Sequence, residues 1–177
     1  MIYENQEVLD YLLDNKGKLI HLYGEADAGR TSVLFSLIEN LTQQEKIVCY
    51  ITPRTEEFRK NVFDRMISYP ERCIIAQASS YKEITPLLSL GADIYMIDNF
   101  LEQILHKKKA QITHTFSLLS GQAFQHGYNI ILSNDLRINK EKGIHPAYME
   151  YFRHFCSKHI EVKKDSDFHI HYNFTEI

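Results

Sequence analysis

The chain has little of several things that would decide its class at once. It has only three cysteines, Cys49, Cys73 and Cys156, odd in number and far apart. That excludes a disulfide framework or a recognisable zinc set, and two of the three sit in apolar runs, as buried thiols in a reducing compartment do. No apolar run approaches membrane-spanning length, and residues 1–5 are polar and acidic. Neither a membrane partner nor a signal segment is therefore expected. There is no excess of positive charge: the formal net charge is -3 and the pI is near 6.3. A protein that coats nucleic acid over its whole surface is usually basic, so any such contact must come from local patches. Linkers, repeats and low-complexity tracts are missing as well.

What is there suits an ordinary globular protein: 177 residues, 44% hydrophobic and 24% charged. That length is enough for one domain with a real core, and residues 1–177 read as a single domain. The pattern alternates helix and strand. Helices are expected at 7–13, 31–41, 56–66, 81–90 and 111–126, the fourth interrupted by Pro86. Strands are expected at 18–23, 46–52, 72–77, 92–98 and 128–134, with a hairpin from 159–164 to 168–174. Several strands are apolar throughout, which points to a mostly parallel sheet covered on both faces, with ligands at the carboxyl ends of its strands.

Gly24-Glu25-Ala26-Asp27-Ala28-Gly29-Arg30-Thr31, followed by Ser32, matches the phosphate-binding loop at both glycines and at the threonine. An apolar strand enters it and an amphipathic helix leaves it, so backbone N–H groups and a helix N-terminus converge on one spot that favours an anion. ATP and Mg2+ are the expected ligands, with Thr31 on the metal. Arg30 stands where lysine is expected. It keeps the charge, but it is longer, planar and forked, so binding is expected to outlast efficient turnover. Asp27 adds a carboxylate near the phosphates, unfavourable unless it points outward. Ile94-Tyr95-Met96-Ile97-Asp98 is an apolar strand ending in a carboxylate that fits the Walker B role of holding the metal shell. Two strand–helix units separate it from the loop, and no arginine-bearing lid of the small-molecule kinase type is evident.

With these motifs in this order the chain resembles the RecA/RadA recombinase family, especially short RadB-like or phage-type core-only versions. The resemblance runs nearly end to end. It includes Leu9-Asp10-Tyr11-Leu12-Leu13 before Lys16-Gly17-Lys18, Leu22-Tyr23-Gly24-Glu25, and Tyr128-Asn129-Ile130-Ile131-Leu132-Ser133-Asn134-Asp135-Leu136-Arg137. It implies a three-layer RecA-like α/β fold and a cytoplasmic protein, nuclear in a eukaryote. It also implies binding of ATP and of DNA, the latter single-stranded, in recombination or repair, with a recombinase paralogue or further copies of itself as partners. The departures fall on catalytic positions. Direct alignment puts Arg54 at the catalytic glutamate, and a small shift allows Glu56. The sensor glutamine matches Asp135, an acceptor-only anion. Together with Arg30 this implies weak or lost hydrolysis. The two DNA loops of the resemblance match a first basic cluster, Lys107, Lys108 and Lys109 after His106, and a second, Arg137, Lys140 and Lys142 near His145. Such lysines neutralise phosphates without reading sequence. The alternatives are a nucleotide-free pseudo-ATPase that serves as a scaffold, and a small-molecule phosphotransferase. His169 and His171 would share one strand face, with His154 and His159 near in sequence, but no third metal ligand stands at a recognisable spacing.

Overall fold

A computed structural model describes residues 6–25, 27–54, 67–100, 107–135, 146–165 and 170–176. Strands β1 Leu19–Gly24, β2 Val48–Thr52, β3 Cys73–Gln77, β4 Ile94–Ile97, β5 Asn129–Asp135, β6 Lys158–Lys164 and β7 Ile170–Glu176 form one seven-stranded sheet. Its order is β3-β2-β4-β5-β1-β6-β7. All pairs are parallel except the antiparallel β6–β7 hairpin at one edge. Among the described residues the α-helices are α1 Gln6–Asp14, α2 Arg30–Gln43, α3 Tyr81–Leu87, α4 Lys109–His126 and α5 Pro146–Phe155.

The apolar strands are buried on both faces because helices cover both. On one face α1 and α2 bury Val8, Leu12, Val33, Leu34, Leu37, Ile38 and Leu41 against Ile20, Leu22, Met96 and Ile131. On the other, α3, α4 and α5 bury Ile84, Ile112, Phe116, Leu119, Ala123 and Phe152 against Leu19, Ile51, Tyr95, Ile97 and Ile130. The helical stripes expected at 31–41 and 111–126 are the buried faces of α2 and α4. The period-2 strand pattern sends alternate residues to opposite cores.

Element ends differ in places from expectation. Helix α3 stops at Leu87, one residue after Pro86, not at Leu90. Beyond it the Ser89 and Leu90 N–H groups donate to the Pro86 and Leu87 carbonyls, three residues back, so the α-helix tightens into 3-10-type turns. Residue 72 belongs to a 3-10 turn, Pro70–Arg72, and not to β3. Helix α5 has no counterpart among the expected elements. The helix expected at 56–66 and the turn of the hairpin lie outside the described residues.

Buried Asn129 ties α1 to the sheet. Its Nδ2 donates to the Leu12 and Asn15 carbonyls, at 3.0 and 2.8 Å, and its Oδ1 accepts the Lys18 N–H at 3.0 Å. Carbonyls at a helix C-terminus lack intrahelical partners, and one amide satisfies two such groups here. At the edge, Lys158 Nζ lies 5.2 Å from the Tyr11 ring centroid and 4.8 Å from that of Phe174, and the two rings meet edge to face at 5.4 Å.

Candidate functional site

Strand order brings the candidate residues to one edge. The carboxyl ends of β1, β5 and β4 lie side by side, with β5 in the middle. Register sets Gly24 opposite Asp135 and Ile97 opposite Leu132. The loop, Asp135 and Asp98 therefore sit on three adjacent strands.

The loop begins at Gly24 because β6 leaves no room for a side chain. A Cβ there would come within 2.5 Å of the Val162 carbonyl oxygen. The chain turns through Asp27 at φ +63°, with the Ala28 N–H donating to the Glu25 carbonyl at 3.1 Å. Gly29, at φ +92°, heads α2. Left-handed backbone is cheap for glycine and tolerable for aspartate. Glu25 and Asp27 are exposed, and Thr31 and Ser32 are exposed on the first turn of α2. Ala28 is buried. Ala26 lies outside the described residues. Asn99, following Asp98, is a second non-glycine in left-handed backbone at this edge, at φ +56°.

Arg30 is turned onto β5. One guanidinium nitrogen pairs with the Asp135 carboxylate, and the other donates to Ser133 Oγ at 3.3 Å. The side chains are 11% and 24% exposed, so the pair is largely shielded from water. The two unusual residues of the sequence, the arginine and the sensor-position aspartate, are thus one charge-assisted unit.

Asp98 is engaged on both oxygens. Tyr50 Oη donates to Oδ2 at 2.6 Å, and the Asn99 N–H donates to Oδ1 at 3.0 Å. Burial, and then the adjacent Asp98 carboxylate, push the Tyr50 phenol well above its ordinary range, so it remains a donor; the nearby Arg30 charge opposes this shift. Thr31 and Asp98 remain the pair that could hold a magnesium ion, with oxygen donors of the kind that ion takes.

Other sequence candidates fall as follows. Exposed Arg54 follows β2 at the same edge. Glu56, Arg137, Lys140 and Lys142 lie outside the described residues. Lys107, Lys108 and Lys109 stand at the head of α4, on the face opposite α2, and Lys107 Nζ lies 5.5 Å from the Tyr81 ring centroid. Among the described residues, no three His, Cys, Asp or Glu side chains are grouped to hold a metal. No helix there is long and apolar enough to cross a membrane. All three cysteines are free thiols, and burial raises Cys49 and Cys73 to about 12.

Sequence reading missed Tyr50, Ser133 and a buried histidine pair. Tyr50 and Ser133 are polar-tipped residues inside apolar strands, on the α2 face. That interruption of the apolar pattern was the available signal. His21 Nδ1 lies 3.1 Å from His159 Nδ1, and the His21 ring stacks on Phe152 at 3.8 Å.

No known family model matches the chain, and no curated protein matches it. Among solved structures it is similar to the flagellar accessory protein FlaH from Methanocaldococcus jannaschii. The TM-score is 0.70 with 13% identity, over 99% of this chain and 86% of that one. It is also similar to the RadB recombinase, with a TM-score of 0.62 and 17% identity over 94% of this chain and 84% of that one. At such identities the likeness speaks for architecture. The mostly parallel sheet, the strand–loop–helix at its edge and these two neighbours establish a RecA-like P-loop α/β fold.

Proposed function

We propose that the protein is a nucleotide-binding RecA-like protein with weak or lost hydrolysis, whose loop Gly24–Ser32 takes the phosphates of Mg–ATP or its diphosphate product. The observation that carries this reading is the left-handed Gly29 heading α2 beside Asp98, two strands away on the same edge. The backbone N–H groups at the head of α2 offer an anion site, and Thr31 with Asp98 offers oxygen ligands to magnesium. Left-handed, non-glycine Asp27 and Asn99 flank the site, and such backbone is tolerated most often where function requires it. Against turnover stand Arg30, already paired with Asp135, and Asp135 itself, which cannot donate to a γ-phosphate.

The RadB-like reading adds single-stranded DNA as partner. It is favoured by Lys107, Lys108 and Lys109 at the head of α4 with the half-buried Tyr81 ring of α3 beside Lys107, where cations and a ring could meet phosphates and a base. The FlaH neighbour favours a second reading, an accessory protein in a larger complex, and the self-paired Arg30 suits such a scaffold.

Thermal unfolding with and without millimolar Mg–ATP and Mg–ADP tests the nucleotide reading. A ligand bound at one hundred times its Kd stabilises by about 2.7 kcal/mol and raises the midpoint by several degrees. An unmoved midpoint leaves the scaffold. A salt-sensitive shift of single-stranded DNA, weakened by Lys107→Ala/Lys108→Ala/Lys109→Ala, tests the DNA half. No shift at low salt rejects it.

A further inference from the structure

A phosphate loop works by offering uncommitted positive charge to an anion. Here the charged side chain of the loop is already committed. Arg30 reaches across to β5 and uses both guanidinium arms there, one on Asp135 and one on Ser133. The arrangement follows from three independent facts of the chain. Arginine is long and forked enough to span to the next strand, where a lysine would offer a single point charge. Strand β5 is the hydrogen-bonded neighbour of β1, and register sets Asp135 opposite Gly24, at the base of the loop. Ser133 lies two residues before Asp135, on the same face of β5. A guanidinium held this way is neutralised, and Asp135 stays close enough to repel a phosphate.

We propose that Asp135 sets the anion affinity of the loop by holding the Arg30 guanidinium on β5, so that an incoming phosphate must win Arg30 from Asp135 before it is bound in full. The inference rests on the nucleotide reading above. It makes the arginine and the aspartate one exchangeable unit. Arg30 pairs with Asp135 when the loop is empty and with phosphate when it is filled. Affinity is set by the difference between the two pairings, and any partner that drew Asp135 away would load the site.

Removing the carboxylate could also strengthen binding by simple relief of repulsion, so the experiment must isolate the part that runs through Arg30. Mg–ADP and pyrophosphate are titrated into the wild type, Asp135→Asn, Arg30→Gln and the double variant, by calorimetry. Removing a charge-assisted competitor is expected to tighten binding on the order of ten-fold in Asp135→Asn. In the Arg30→Gln background the same change is expected to give a much smaller gain, that of relieved repulsion alone, because the cycle isolates the part that runs through the pair. Asp135→Glu, which keeps the charge, is expected to bind as the wild type does. An equal gain with and without Arg30, or no gain while the wild type binds, overturns the inference and leaves the nucleotide reading standing. Binding by none of the four proteins overturns both. If Arg30→Gln or Asp135→Asn abolishes folding, the 15N-labelled wild type decides. The Arg30 Nη–H signals should be protected in the free protein and shift with pyrophosphate. Unprotected signals in the free protein overturn the inference.

Discussion

His21 and His159 meet under β1 and β6, and their environment fixes their charge. Burial, and then the neighbouring ring, hold His21 well below its ordinary range. Burial, and then Arg153, lower His159. Tyr23 and Phe152 pack on the His21 ring from β1 and α5. With both rings neutral, one Nδ1–H donates to the other Nδ1. In the unfolded chain each titrates near 6.5, above its folded value, so the unfolded state takes up protons first as pH falls. The contribution of the pair is therefore full above about pH 6.5 and is lost below it, at up to about 1.4 kcal/mol per pH unit for each group. Urea midpoints measured from pH 8 to 5 should fall below neutrality, and His21→Leu should flatten that slope. A wild-type slope that His21→Leu leaves unchanged would place the acid sensitivity elsewhere. Gly24 makes a second residue-scale prediction. Gly24→Ala forces a methyl against the Val162 carbonyl and should cost about 1–3 kcal/mol in denaturant unfolding. The loss should appear without any nucleotide, because strand packing demands this glycine.

At the scale of elements, α1 depends on one side chain of β5. Asn129→Ala leaves the Leu12 and Asn15 carbonyls without their partner and should cost about 2–3 kcal/mol. Hydrogen exchange should quicken first in α1; equal protection in wild type and variant would refute the tie. Much of this level was legible in the sequence. Apolar stripes gave α2 and α4, continuous apolar runs gave the buried strands, and alternation gave the β6–β7 hairpin. Helix α5 was not read, although Tyr151, Phe152 and Phe155 recur at helical spacing. The charged, glycine-containing stretch before it reads as a loop. The site was half legible for a related reason. Loop, Asp98 and Asp135 announce themselves by order along the chain. The bond of Arg30 to a residue 105 positions away depends on which strand lies beside β1. Tyr50 and Asp98, 48 positions apart, were hidden in the same way.

At the scale of the molecule, one sheet supplies a wall to two cores, each closed by its own helices. Loss of either core strips one face of the same strands, so unfolding should be a single event. Phe116, wholly buried among Phe100, Tyr151, Phe152 and Phe155, is the sharpest probe. Phe116→Ala should cost about 3–5 kcal/mol. Far-ultraviolet circular dichroism and tyrosine fluorescence should still change together. Two separated transitions would show that the faces fold independently.

The clasp of Lys158 with Tyr11 and Phe174 has a consequence for chain connectivity. It sets the first helix beside the last strand, with the two rings 5.4 Å apart. A peptide of a few residues could join those elements, and new termini could be opened in the exposed turn at Gln44 and Glu45 between α2 and β2. Such a circular permutant would keep every strand neighbour while moving β1, which lies between β5 and β6, from the first strand to leave the ribosome to the last.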